Sequence, residues 1–306
     1  MDAHMRGYSA SFLSVEVPVP RAVDGGATVD LDYVHFSVVF QPARRLAKAT
    51  AVNIDGAKLV DVPRGDDWHY DSRLPERDQV GNDVYARNDL DRGHLVRRRD
   101  PVWGDLAQAR AANEATFAFT NAAPQAAPFN QGPILWLGLE DHVLGYAQAQ
   151  QSKISVFTGP VLDGDDPEYR GVQIPRLFWK IAAWIGDAAS DEVVEDDRPD
   201  GRVPALRAAG FVLDQSDELD VVLGRRAVLA EPPPLGAYLT YQAPIADIGR
   251  LAGLDLAGLV AADVLEPVQL QPEGTGSAAG ARAGGIVGAG ERAAWVRLAG
   301  IDGITL

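Results

Sequence analysis

Cysteine is absent from this 306-residue chain, so disulfides and thiolate metal sites are both excluded. Only two methionines and five histidines occur, which makes the list of candidate imidazole bases short. No run of roughly 18 apolar residues is present, so no membrane-spanning helix and no membrane partner are expected. The first residues, Met1 to Tyr8, hold no apolar stretch of signal-peptide length. The expectation is a cytoplasmic protein, with secretion only if a leader has been trimmed. Positive charge is scarce. Lys and Arg total 28 against 43 Asp and Glu, a net charge of −15, which argues against non-specific adhesion to polyanions through global charge. Hydrophobic residues at 46% and charged residues at 23% are ordinary for a globular chain with an ample core.

The scarce positive charge is concentrated. Six arginines (87, 92, 97, 98, 99 and 110) fall between Tyr85 and Arg110, whereas seven acids face one arginine between Asp187 and Asp200. Within the arginine-rich stretch, Asp89 to Gly104, lies His94, preceded by Asp91, Arg92 and Gly93 and followed by Arg97, Arg98 and Arg99. A neutral imidazole can take a proton from water near pH 7. Guanidinium groups hold phosphate beside it. A base next to a phosphate clamp points to phosphodiester hydrolysis, a reaction that also needs charge stabilisation at the leaving oxygen.

The remaining chain reads as mixed short strands and helices without regular βαβ alternation, an α+β pattern. Residues Tyr8–Pro20 read as an entry segment with a short strand, and Arg21–Val29 as a turn region. Tyr33–Phe40 and Ala47–Ile54 are rich in β-branched and aromatic residues and make an antiparallel pair. His35, within the first, reads as a packed core residue. Pro63–Asn82 is a long polar loop. Ala107–Ala115 is a helix, Thr116–Thr120 a short strand and Asn121–Pro128 a loop. Pro133–Gln151 is the clearest helix, with Leu135, Leu139, Val143 and Leu144 at helical spacing. Strands follow at Ile154–Thr158, ending at Gly159-Pro160, then at Val172–Ile174, Phe178–Ile185, Phe211–Leu213 and Tyr238–Gln242. Ala246–Leu251 and Leu256–Ala262 are helical, and Ala293–Leu298 is a final strand or docking segment. Gln271–Gly290, mostly Gly, Ala and Ser, reads as a flexible linker. The domain expected is one catalytic unit over 8–265, with a Gly/Ala-rich linker and C-terminal tail over 266–306.

Four pieces occupy one window of about fifty residues: Asp91-Arg92-Gly93-His94, Thr120-Asn121-Ala122-Ala123-Pro124-Gln125, Phe129-Asn130-Gln131-Gly132 and Trp136-Leu137-Gly138-Leu139-Glu140-Asp141. His94 is the best base among the histidines because it alone sits among several arginines. Arg92 can hold the phosphate. Asn130 and Glu140 bracket the start of the clear helix and offer hard oxygen ligands, few enough to suit a Mg²⁺ ion that keeps most of its waters.

This window resembles the DNA/RNA non-specific endonuclease family, the ββα-metal nucleases with an Asp-Arg-Gly-His motif. The likeness is close across the window and weaker over Tyr8 to about Asp263, including Thr158-Gly159-Pro160, Ile174-Pro175 and Phe178-Trp179-Lys180. It implies a ββα-metal (His-Me finger) fold with a central antiparallel sheet flanked by helices. It implies Mg²⁺-dependent hydrolysis of phosphodiester bonds in DNA and RNA without preference for the sugar; Mn²⁺ or another divalent cation can substitute, and the usual products carry 5′-phosphates.

The resemblance also implies roles. His94 would be the general base, Asn130 the one direct protein ligand to the metal, and Arg92 the holder of the scissile phosphate. Glu140 would hold a water on the metal, with Asp141 and His142 as neighbours that could share this role. Asn121 would position the phosphate or the histidine, and Asp91 would orient the metal's waters. An upstream arginine would contact phosphate: Arg64 is the choice and Arg73 the alternative. Apart from the resemblance, Arg97, Arg98 and Arg99 read as a track for flanking strand because they abut His94, with a solvated face as the alternative. Nucleic acid is the expected partner, and a homodimer is left open. The rival readings are a non-catalytic nucleic-acid-binding protein on the same fold and a small-molecule phosphodiesterase.

Overall fold

The computed structural model describes residues 7–131, 143–145, 147–187, 204–225, 239–265 and 295–298. The strands in chain order are β1 (Arg21–Ala22), β2 (Val29–Asp32), β3 (Phe36–Gln41), β4 (Leu46–Asp55), β5 (Leu90–His94), β6 (Ala122–Ala126) and β7 (Lys153–Val161). They continue with β8 (Glu168–Tyr169), β9 (Val172–Gln173), β10 (Leu177–Asp187), β11 (Pro204–Asp214), β12 (Leu239–Gln242), β13 (Leu254–Asp255) and β14 (Val296–Arg297). Among the described residues eight of them form one antiparallel sheet in the order β14-β12-β11-β10-β7-β4-β3-β2.

Side-chain alternation along the central strands divides the core into two layers. On β10, Phe178, Ala182 and Trp184 face one cluster, together with Phe36, Val52, Val156 and Phe211. Trp179, Ile181 and Ala183 face the other, with Val39, Phe157 and Val212. The second face is covered by Leu13 and Val17 of the entry segment and by a helix over Ile245–Ala252. The first is covered by Leu90, Leu95, Val96, Phe119, Ala123, Ala126 and Phe129, which belong to the window singled out in the sequence. Each fully buried phenylalanine contributes roughly 1.5–3 kcal/mol. The candidate site is thereby pressed onto the sheet by its own apolar side.

The expected antiparallel pair at Tyr33–Phe40 and Ala47–Ile54 corresponds to β3 and β4, and His35 is buried, its ring stacked 3.5 Å from that of Trp103. Other expectations are corrected. The entry segment Tyr8–Pro20 holds no strand, and β1 and β2 instead start within the expected turn region. Strand β7 does not stop at Gly159-Pro160 but runs through both to Val161. A Cβ at Gly159 would lie 2.6 Å from the Lys48 carbonyl and 2.8 Å from the Trp179 ring, so this glycine permits close packing within the sheet. Pro160 is tolerated because the pairing with β4 has already ended at Thr158, and the ring therefore interrupts no ladder on that side. Helix α1 (Asn82–Tyr85) begins at the end of the expected loop, and α2 (Leu106–Ala115) matches the expected helix; Thr116–Thr120 is not a strand but a turn leading into a 3-10 turn over Phe119–Asn121. The expected linker at 271–290 lies outside the described residues.

Candidate active site

Two strands and a helix present the window. Strand β5 carries Asp-Arg-Gly-His and pairs antiparallel with β6, placing Asp91 opposite Gln125, Arg92 opposite Pro124, Gly93 opposite Ala123 and His94 opposite Ala122. The chain then enters helix α3 (Ala127–Gln131), whose first amide donates to the Asp89 carbonyl at the start of β5. This corrects one expectation: Asn121–Pro128 is mostly a strand rather than a loop, and a helix that holds Asn130 begins at Ala127; residues 132–142 of the expected helix Pro133–Gln151 lie outside the described residues. Pro124 fits because, among the described residues, the two-stranded ribbon leaves one edge of β6 without a ladder partner. Gly93 is required by crowding, since a Cβ there would meet the Gln125 Oε1 at 2.1 Å.

His94 ends β5. Its ring lies 4.8 Å from that of Trp68 and 5.2 Å from that of Phe117, edge-on to the latter. Its Nε2 is buried and has no hydrogen-bond partner among the described residues. Burial, reinforced by the charges of Arg64, Arg98 and Arg92, pushes the imidazole down to about 3. The ring is therefore neutral near pH 7, and its proton affinity is low while those charges stand unopposed. Arg92, one residue before Gly93, stacks its guanidinium over the Trp68 ring at 5.3 Å and donates from Nη1 to Asn82 Oδ1 at 2.8 Å.

Asn121 is fully buried and sews the segment after His94 in place. Its Nδ2 donates to the Val96 carbonyl at 2.9 Å and the Thr116 carbonyl at 3.0 Å, and its Oδ1 accepts from the Val96 amide at 2.9 Å. These bonds tie the chain two residues beyond His94 to the residue that caps the preceding helix. On α3, Asn130 donates from Nδ2 to Asp91 Oδ2 at 3.0 Å, which brings the expected ligand and the expected orienter into contact. Glu140 lies outside the described residues, as do Trp136, Asp141 and His142. Among the described residues no group of three His, Asp or Glu side chains gathers as a metal cluster.

The arginines divide. Arg64 is exposed and close enough to His94 to act on its charge. Arg73 is bonded to Asp71 at 2.6 Å and to the Asp32 carbonyl at 3.0 Å, and it lies over the Tyr33 ring. Arg98 donates to the Val62 carbonyl and to Asn113, which turns it inward, whereas Arg99 is exposed. Arg97 is half-buried beside them.

Three contributors escaped sequence reasoning. Trp68 walls the site between His94, Arg92, Phe117 and Phe119, and its loop is held to the Phe117–Phe119 segment by His69, whose backbone bonds both phenylalanines. Gln125 is fully buried, with neither side-chain polar atom partnered among the described residues. Gln215 joins distant parts: it accepts from the Ala126 amide at 2.9 Å and donates to the carbonyls of Pro124 and Pro175. Gln125 stood in a quoted motif. For Trp68 and Gln215 the only available signal was residue type, a tryptophan in a polar loop and a lone glutamine after a strand.

The sequence matches the DNA/RNA non-specific endonuclease family over residues 19–263. The chain belongs to the DNA/RNA non-specific endonuclease family. This endonuclease-family chain is 40% identical over 273 residues to the uncharacterized protein y4fB of Sinorhizobium fredii (strain NBRC 101917 / NGR234), an alignment that covers 82% of the chain and 39% of that protein. The chain thus spans about two fifths of the length of that curated relative. In fold, the family member is similar to a chain in a crystal structure of the EndoG/EndoGI complex, with a TM-score of 0.51 and 18% identity over 80% of this chain and 89% of that one. The eight-stranded antiparallel sheet with the ββα unit β5-β6-α3 is the ββα-metal nuclease fold.

Proposed function

We propose that the chain is a divalent-metal-dependent endonuclease that hydrolyses phosphodiester bonds in DNA and RNA, with Mg²⁺ as the working ion. The observation that carries this reading is His94, a neutral imidazole whose buried Nε2 has no partner among the described residues and which sits two residues from Arg92 on one strand. Arg92 and Arg64 hold the scissile phosphate. His94 Nε2 takes a proton from the attacking water, the water oxygen bonds to phosphorus, and the bond to the 3′ oxygen breaks, leaving a 5′-phosphate. A seated phosphate offsets the arginine charges that add to burial in depressing His94, and so raises its proton affinity when substrate is bound.

The donor set fits a hard, well-hydrated cation. With Nδ2 donating to Asp91, the Asn130 carboxamide oxygen is the end left to meet a metal, and Asp91 lies beside it to orient waters. Glu140 is assigned to hold a further water. The ion, when bound, supplies positive charge to the leaving oxygen. Asn121 keeps His94 in place. Arg97 and Arg99 attract flanking strand, whereas Arg98 spends donors on the Val62 carbonyl and Asn113. Such contacts address phosphate and sugar rather than base edges, so low sequence preference follows. Plasmid DNA incubated with the protein in Mg²⁺ should pass from supercoiled to nicked and linear forms, and EDTA should stop it. Intact plasmid and intact RNA across Mg²⁺, Mn²⁺, Co²⁺ and Ca²⁺ would overturn the proposal.

A further inference from the structure

Arg92 is held on two sides, and one of its holders is itself held by a remote hairpin. Asn82 opens helix α1 (Asn82–Tyr85) and accepts from Arg92 Nη1 at 2.8 Å, while the guanidinium rests over the Trp68 ring. A four-residue helix has little stability of its own. Its end is gripped from elsewhere in the chain. Arg170 Nη1 donates to the carbonyls of Asp83 and Ala86, both at 2.8 Å, with the Val84 carbonyl at 3.4 Å. Those carbonyls are the ones a helix C-terminus leaves without intrahelical partners, where positive charge is favoured.

Arg170 and Gly171 form the two-residue turn between β8 and β9, with φ of 51° and 74°. Two successive residues at positive φ belong to the tight hairpin turn that matches strand twist. A non-glycine residue in the left-handed region persists where its surroundings hold it there, and the triple grip on α1 supplies that hold. The neighbouring Tyr169 takes part as well: Asn88 Nδ2 lies 3.3 Å from its hydroxyl and 2.6 Å from the Val84 carbonyl, and Arg170 packs over its ring.

We propose that Asn82 is a positioning residue for the Arg92 guanidinium, and that Arg170, from the β8–β9 hairpin, sets Asn82 in place. The proposal rests on the assignment of Arg92 to the scissile phosphate for its consequence in catalysis, but not for its structural content. With one donor spent on Asn82 and the plane fixed against Trp68, the other edge of the fork is presented in a single orientation, which lowers the entropy lost when phosphate is bound.

Two measurements test it. In protein labelled with ¹⁵N-arginine, the Arg92 side-chain resonances should show restricted rotation, should collapse to the mobile average in Asn82→Ala, and should recover in Asn82→Asp, whose carboxylate also accepts. Arg170→Ala should reproduce the collapse with the global unfolding midpoint little changed. Arg92 signals identical in wild type, Asn82→Ala and Arg170→Ala would overturn the proposal, whether or not the protein cleaves nucleic acid. In the cleavage assay, Asn82→Ala should lower kcat/KM about fivefold, as expected for an exposed bond to a charged donor, and the same substitution should have no effect in an Arg92→Ala background. An equal loss in both backgrounds would show that Asn82 does not act through Arg92. A wild type that cleaves nothing would remove the nuclease reading alone, since the resonance test still decides the positioning.

Discussion

Replacing Asn121 by alanine should cost stability and cleavage together. The side chain is fully buried and satisfies three backbone groups, the Val96 amide and carbonyl and the Thr116 carbonyl, at 2.9, 2.9 and 3.0 Å. Alanine leaves all three buried without their partner. Each such group costs about 1–3 kcal/mol. The three share one side chain and relax together, so the losses do not add fully; about 3–5 kcal/mol in total is expected. For a domain of this size, each kcal/mol lowers Tm by about 2–4 °C, so a fall of roughly 10 °C should be seen by calorimetry. Urea titration should show a lower midpoint with an unchanged slope. Because Leu95 and Val96 directly follow His94, cleavage at temperatures far below the new Tm should fall as well. A stability loss under about 1 kcal/mol, or full activity in the folded variant, would refute the assignment of Asn121 to the His94 segment.

Three further outcomes are expected. His94→Ala should abolish cleavage while folding and Mg²⁺ binding, followed by calorimetric titration, are retained; residual wild-type turnover would remove His94 from its role. Asn130→Ala should lose activity most at low Mg²⁺, and a metal titration like that of the wild type would contradict the ligand assignment. His94 is held down to about 3 in the folded chain, whereas an unfolded histidine titrates near 6.5, so the unfolded state gains a proton that the folded state does not as pH falls from about 6.5 toward 3. Between pH 7 and pH 5 the wild type should therefore lose about 2 kcal/mol more than His94→Ala, measured by urea unfolding of both at each pH; parallel losses would show that His94 is not depressed.

The long strands were legible because their residues carry the signal: Phe36–Phe40 and Phe178–Ile185 are dense in β-branched and aromatic side chains. The Asp-Arg-Gly-His motif was legible as chemistry but not as a strand. Leu90-Asp-Arg-Gly-His and Ala-Ala-Pro-Gln-Ala have glycine, proline and small residues where strands usually have bulk, and they pair because Gly93 and the alanines let the ribbon lie close to the sheet. Tertiary contacts, not local preference, make β5 and β6. The same cause hid α3 in a stretch that reads as a loop: the helix begins at Ala127, anchored by its amide to Asp89. Trp68 and Asn82 were invisible as site neighbours because their meaning depends on which loop folds over β5.

Gln215 has a consequence for the order of assembly. Its carboxamide bridges the Ala126 amide, the Pro124 carbonyl and the Pro175 carbonyl across sequence separations of 89, 91 and 40 residues. Contacts that close such long loops form late, because the chain entropy must be spent before they are made. During synthesis the strand facing His94 cannot be clamped until β10 and β11 have left the ribosome and paired. The β5–β6 ribbon is thus clasped only when the strands beneath it are in place, and a chain cut short before residue 215 lacks the clasp. For a protein proposed to cut RNA, that timing delays a competent site while the chain is still tethered to its own template.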